Sequence, residues 1–221
     1  RALNVSCNSV FAELANELGK DALTKTVRDL GFGKSVTVSK AKTVRSTFDV
    51  SDSTRLDLGW AGIGQYTTLV NPSQMMMFMG AIANGGTGYA PDRIKHTGTV
   101  SQIMGRMPSE CVKINPETAA KLNIILRSNV EDKYGDWKFE NLQMCGKTGT
   151  AQVDGAKSHS WFAGYSKRDD LPLAVICIAE NGGYLCGTKE CIEQCSYRMT
   201  TPGLGREVGA SLGHNRALYM G

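Results

Sequence analysis

"MCGKTGTAQV", residues 144–153, can be read in two ways, and the choice decides the fold. Gly146-Lys147-Thr148 is the end of a phosphate-binding loop, and Lys147-Thr148-Gly149 is a different signature over nearly the same residues. The phosphate loop requires G-x-x-x-x-G-K-[ST], so that backbone N–H groups wrap the phosphates before a helix begins. The position of its first glycine is Asn141. The residues after Lys147 are small or β-branched, and with Leu142 and Met144 before it the segment alternates like a strand. A nucleotide site is therefore rejected, and Lys-Thr-Gly stands on a strand.

Working outward, the same strand-like pattern recurs. Leu142–Val153, Ser160–Ser166 and Pro172–Glu180 are separated by short polar loops, which predicts an antiparallel meander. The earlier half of the chain is helical. One helix is expected over Asn8–Leu18, with Val10, Phe11, Leu14, Ala15 and Leu18 on one face and Gly19 as its stop. A second follows over Asp21–Leu30, with Leu23, Val27 and Leu30 inward and Gly31 ending it. Residues from Phe32 to Gly64 read as extended or looped. Asn71-Pro72-Ser73 opens a third helix whose methionines, Met75, Met76, Met77 and Met79, read as core filler. Asn115-Pro116-Glu117 opens a fourth, with Leu122, Ile125, Leu126 and Val130 as its buried face. Helices first and strands later define an α+β domain, an antiparallel sheet with helices against it.

The bulk properties bound the function. The 221 residues are enough for one domain and its core, 41% are hydrophobic and 21% charged, as in an ordinary soluble globular protein. The net charge of +4 is scattered, so neither nucleic acid nor a membrane surface is implied. The most apolar run, "MMMFMGAIA", is too short to cross a bilayer and breaks at Asn84-Gly85-Gly86. The opening, "RALNVSCNSV", begins in mid-pattern without an initiator, as in a piece of a longer chain, so the lack of a signal peptide says nothing of the parent's location. Cys7, Cys111, Cys145 and Cys177 read as free buried thiols. Cys186, Cys191 and Cys195 form no CxxC pair and have no histidine at ligand spacing, which argues against zinc and leaves a disulfide among them open. No cofactor or metal site is expected. Past Asn181 no element is legible, and residues 182–221 are set apart as a tail.

Ser6-Cys7-Asn8 stands directly before the first helix, where Ser and Asn are ordinary N-caps. Taken together and in this order, Ser6-Cys7-Asn8 and Lys147-Thr148-Gly149 match the S-x-N and K-T-G elements of penicillin-recognising serine enzymes. "RALNVSCNSVFAELANELG", "GIGQYTTLVNPSQMMMFMGAIANGG", "CGKTGTAQV" and "HSWFAGY" resemble the transpeptidase domain of class B penicillin-binding proteins, of the penicillin-binding protein A type. The four blocks cover most of Arg1 to Glu180.

The resemblance implies a penicillin-binding, β-lactamase-like fold and a partial transpeptidase domain spanning 1–221. It implies a parent D,D-transpeptidase that cross-links peptidoglycan stem peptides through a serine acyl-enzyme and binds β-lactam antibiotics covalently. Such a parent would be anchored at the extracytoplasmic face of the bacterial membrane by a segment not in this chain. Ser6 would relay protons, Asn8 would bind the substrate amide and hold the active-site lysine, and Lys147 would supply positive charge. Thr148 and Thr150 would grip the substrate carboxylate, with the Thr150 N–H as half of an oxyanion hole, and Gly149 would leave room for the ligand's backbone.

The family's nucleophile motif, S-x-x-K, precedes S-x-N and is not in this chain. Ser39-Lys40-Ala41-Lys42 fits the letters but follows Ser6 and reads as extended rather than helical. The missing segment would pack against the first helix and the sheet, so Val10, Phe11, Leu14 and Met75–Met79 are expected to have lost a packing partner. A tail without an amphipathic helix is the second departure from the family. A serine β-lactamase or β-lactam sensor shares the motifs without the "GIGQ…PSQMM…AIANGG" block, and a non-catalytic penicillin-binding-like scaffold would look the same.

Overall fold

The computed structural model describes residues 1–38, 41–91, 110–153, 155, 157–178 and 182–187, the last six by backbone path and pairing. Four strands, β5 (Met144–Ala151), β6 (His159–Ser166), β7 (Leu173–Ile178) and β8 (Gly182–Gly187), form an antiparallel sheet in the order β5-β6-β7-β8. The first three are those expected from the sequence, and their pairing is an unbroken meander, with Lys147 opposite Ala163 and Ala163 opposite Ile176. β8 was not foreseen, because its glycines carry no side-chain periodicity to read. Four shorter strands complete the described sheets. They form two hairpin-like pairs, β1 (Thr37–Val38) with β2 (Ala41–Lys42), and β3 (Thr87–Tyr89) with β4 (Glu110–Lys113). β1 and β2 fall in the stretch read as extended, whereas β3 and β4 escaped the sequence reading. Ser39 and Lys40 lie outside the described residues.

Two helices pack against one face of the sheet. Asn71 caps α3 (Pro72–Ala83) by accepting from the Ser73 N–H, and Asn115 caps α4 (Pro116–Asn129) by accepting from the Glu117 and Thr118 N–H groups. Met76, Met79 and Ile82 of α3 meet Leu126 of α4 and Cys145, Tyr165 and Ile176 of the sheet in the main core. Met77 and Ala81 close a second cluster with Val36 and Val112. The methionines therefore fill the core, as their sequence suggested, and the expectation that this helix had lost a packing partner is not met. Leu126 of α4 and Val130 just past its end are buried, but Ile125 is exposed, since one turn of helix cannot point residues 125 and 126 at the same sheet face equally. Cys7, Cys111, Cys145 and Cys177 are free, as expected, but of the four Cys145 alone is buried: Cys7 and Cys111 are half-buried, and strand alternation turns Cys177 outward on β7, to the face opposite Ile176 and Ile178.

α1 runs from Asn8 to Asp29 with a break at Gly19, whose φ of 80° is the left-handed region that glycine tolerates. The two helices expected on either side of Gly19 are thus its two arms. α2 (Arg55–Gly62) is a correction to the extended reading of residues 32–64. It is short, and a capping box starts it: Thr54 accepts from the Asp57 N–H while Asp57 accepts from the Thr54 N–H. α1 and α2 cross at small residues. A Cβ on Gly62 would lie 2.3 Å from that of Ala15, and one on Gly59 would lie 3.2 Å from that of Ala12. Ala15 is the buried residue of α1, whereas Val10, Leu14 and Leu18 are exposed and Phe11 is half-buried. The apolar stripe of α1 is uncovered, as expected from the sequence.

Candidate active site

β5 is the outer strand of the sheet, and its free edge is where the site is built. In an antiparallel pair alternate residues turn their N–H and C=O away from the partner strand. On β5 these are Met144, Gly146 and Thr148, and side chains from the end of α4 engage each in turn. Arg127 donates to the Met144 carbonyl at 2.7 Å, and the fully buried Asn129 donates through Nδ2 to the Gly146 carbonyl at 2.7 Å. The Arg127 guanidinium is itself held by Asp136 and Glu131. Hydrogen bonding from Arg127 holds the Asp136 carboxyl below the usual carboxylate range. Past Val130 the helix widens into a π turn that ends at Gly135, and Tyr134 swings onto the strand. Its hydroxyl accepts from the Thr148 N–H at 3.0 Å and lies 2.9 Å from the Thr148 hydroxyl. By the same alternation the N–H and C=O of Thr150 face outward beyond this row.

Lys147 falls on the other side of the alternation, on the helix-facing side of β5 with Cys145. Its Nζ donates to Ser6 Oγ at 2.5 Å and to the Thr148 carbonyl at 2.7 Å. Residues 141 positions apart are thereby joined, which N-capping and a surface lysine do not account for. Cys7, not Ser6 or Asn8, occupies the N-cap of α1, and no side chain caps that end. Ser6 has φ of 50°, an uncommon conformation for a non-glycine residue. The surrounding turn, closed by bonds from the Ser6 N–H to the Leu3 carbonyl and from the Cys7 N–H to the Ala2 carbonyl, holds it there.

Ser6, Lys147 and Thr148 are therefore brought together. Asn8 is exposed at the start of α1, two residues after Ser6, where it lines an open groove with Ala12, Gly59, Trp60 and Leu56. Gly149 and Thr150 are exposed on β5. A Cβ on Gly149 would meet nothing closer than 3.6 Å, so protein packing does not require glycine there. Gly146 is different: a Cβ would come within 2.7 Å of the Phe162 ring. Asn129, Arg127 and Tyr134 were missed in the sequence. Asn129 had a signal, a polar residue in the stripe set by Leu122 and Leu126. Tyr134 had none, since a π turn leaves no pattern in the residues that form it. No group of three or more His, Cys, Asp or Glu side chains among the described residues is placed to hold a metal.

Residues 1–190 match the family model described as Penicillin binding protein transpeptidase domain. The chain is 30% identical over 188 residues to Stage V sporulation protein D of Bacillus subtilis, covering 80% of this chain and 29% of that protein. It is 26% identical over 187 residues to the peptidoglycan D,D-transpeptidase PbpA of Mycobacterium tuberculosis, covering 80% of this chain and 37% of that protein. The chain thus spans roughly a third of the length of these relatives. The structure is similar in fold to a ceftriaxone acyl-enzyme complex of penicillin-binding protein A from M. tuberculosis, with a TM-score of 0.68, 22% identity and coverage of 81% of this chain and 42% of that one.

A second match overlaps the end of the first. Residues 175–221 match the family model described as Methionine gamma-lyase. Over 44 residues, 20% of this chain and 10% of the relative, the identity to the uncharacterized protein YnbB of B. subtilis is 57%. The two family ranges share only residues 175–190. Because the residues beyond β8 resemble a different family, ending the polypeptide after Gly187 is expected to shift the unfolding midpoint by less than about 2 °C. Calorimetry of the two forms checks this, and a broad or lost transition would show that the tail supports the domain.

Proposed function

This chain belongs to the penicillin binding protein transpeptidase domain family, in its class B branch, and from that premise we propose that it carries the K-T-G and S-x-N half of a peptidoglycan D,D-transpeptidase site. The observation that supports this most is the 2.5 Å contact between Lys147 Nζ and Ser6 Oγ, with Thr148 beside it at an open strand edge. In the full-length protein a serine from an S-x-x-K segment outside this chain attacks the penultimate D-Ala carbonyl of a stem peptide. Ser6, oriented by Lys147, passes a proton toward the leaving D-Ala amine, and an acceptor amine then resolves the acyl-enzyme. The outward N–H of Thr150 stabilises the oxyanion, while the hydroxyls of Thr148 and Thr150 and the charge of Lys147 hold the terminal carboxylate. Asn8 binds the substrate amide. β-Lactams enter by the same acylation, in keeping with the acyl-enzyme complexes of the structurally similar protein. The work is done on the outer face of the cell membrane, and the anchor is a segment outside this chain. No helix among the described residues is long and apolar enough to cross a membrane.

The experiment is labelling of the full-length protein with a fluorescent penicillin, followed by release of D-Ala from a pentapeptide. One stable adduct per chain and D-Ala release are expected. Fast hydrolysis of the label would instead mark a β-lactamase, a stable adduct without D-Ala release a sensor, and no adduct at all a non-catalytic scaffold. The 221-residue chain alone is expected to show no mass increase with penicillin, since Ser6 has a relay partner but no S-x-x-K lysine. An adduct on Ser39 would overturn that reading.

A further inference from the structure

Tyr134 is the group at this edge that no motif accounts for, and its hydrogen bonds are directional. The Thr148 N–H can only donate, so the Tyr134 oxygen accepts from it at 3.0 Å. Burial pushes the Tyr134 phenol up, but its hydrogen bonds with Thr148 and Asn129 and the Lys147 charge bring it below its usual range. The Asn129 amide is oriented by its Nδ2 bond to the Gly146 carbonyl, and its Oδ1 has no hydrogen-bond partner, so it does not take the Tyr134 proton. The two hydroxyls lie 2.9 Å apart and either can donate; because the Tyr134 oxygen already accepts from the Thr148 N–H, its own hydrogen is free to go to the Thr148 hydroxyl. A hydroxyl that accepts from Tyr134 has its own hydrogen free, and the edge of β5 leaves it the cleft as its direction.

We propose that Tyr134 is a positioning residue: by filling the acceptor side of the Thr148 hydroxyl, it turns that hydroxyl into a donor aimed at an anionic ligand group. The same contact ends the row of sealed backbone groups at Thr148. A substrate strand can then pair with β5 only from Thr150 onward, which fixes its register against Lys147. This rests on the transpeptidase reading, because it assumes that the anion is the terminal carboxylate of a stem peptide or the carboxylate of a penicillin. A tyrosine that merely supports β5 would affect every ligand alike. One that sets the Thr148 donor affects only ligands with the carboxylate.

The test is acylation of the full-length protein by a penicillin and by its carboxyl methyl ester, in wild type and Tyr134→Phe. The variant keeps the ring and its packing. The second-order rate constant for the free acid is expected to fall about tenfold, the size of one lost hydrogen bond to a charged group, with the ester rate unchanged. Thr148→Val should lower the acid-to-ester ratio in the same way, and combining it with Tyr134→Phe should add nothing. Equal slowing of acid and ester, or a double variant with a lower ratio than either single one, would overturn the inference while leaving the transpeptidase reading intact. A wild-type protein acylated by neither compound would overturn both.

Discussion

Replacing Lys147 by alanine in the full-length protein is expected to slow acylation by a fluorescent penicillin by about a hundredfold or more. The Nζ of Lys147 touches Ser6 Oγ at 2.5 Å and the Thr148 carbonyl at 2.7 Å, so under the proposed function the side chain would act on both the proton relay and the strand that binds the ligand. Its loss removes a charge that is worth most when negative charge develops in the transition state. The fold should hardly notice. Lys147 is partly exposed on an edge strand, and a substitution that opens no cavity there changes stability by roughly 1 kcal/mol or less. Stopped-flow fluorescence and a urea titration on the same samples separate the two effects. Equal acylation rates in mutant and wild type would sink the assignment of Lys147.

Gly62→Val is expected to destabilise the domain by roughly 2–3 kcal/mol and to reduce acylation with it. Even the Cβ would lie 2.3 Å from that of Ala15, so α1 and α2 must separate. Ala15 lies two helical turns beyond Asn8, and the turn holding Ser6 feeds directly into α1. Moving α1 therefore moves Ser6 away from Lys147. Gly64→Ala is the comparison: nothing lies within 4 Å of its added Cβ, although its φ of 85° is strained for alanine. Denaturant midpoints for both, read beside penicillin labelling, check the claim. A Gly62→Val protein as stable as wild type would show that the helix crossing is loose.

What was legible in the sequence followed from side-chain pattern. Thr148 to Val153 revealed a strand because β-branched and small residues alternate there, and Asn71-Pro72 and Asn115-Pro116 revealed helix starts because a cap and a proline act locally. Ser6 and Lys147 were readable through spacing and resemblance, and the structure brings them within hydrogen-bond distance. α2 was hidden because its eight residues are too few to show a period, although Thr54 and Asp57 carried its capping box. Tyr134 was hidden because its position depends on a π turn, and β8 because backbone pairing needs no particular side chains. The exposed stripe of Val10 and Leu14 was foreseen, as was the core role of Met76 and Met79; the expectation that their helix lacks a partner failed, since α3 draws its cover from the sheet and α4.

The place of β8 has a consequence for how such a chain can arise. Its six residues pair with β7 from Leu173 opposite Gly187 to Ile178 opposite Gly182, and they fall inside the stretch that two unrelated family descriptions share. A strand on the rim of a sheet is recognised by its neighbour through peptide groups that every amino acid possesses, whereas an inner strand must also fit side chains on both flanks. A rim strand is thus the position where a coding sequence of foreign descent can replace the native one and still be accepted by the sheet. A replacement there would leave the earlier strands, and the edge at the opposite side where Lys147 stands, untouched. Heredity can change hands at one margin of this sheet while chemistry stays at the other.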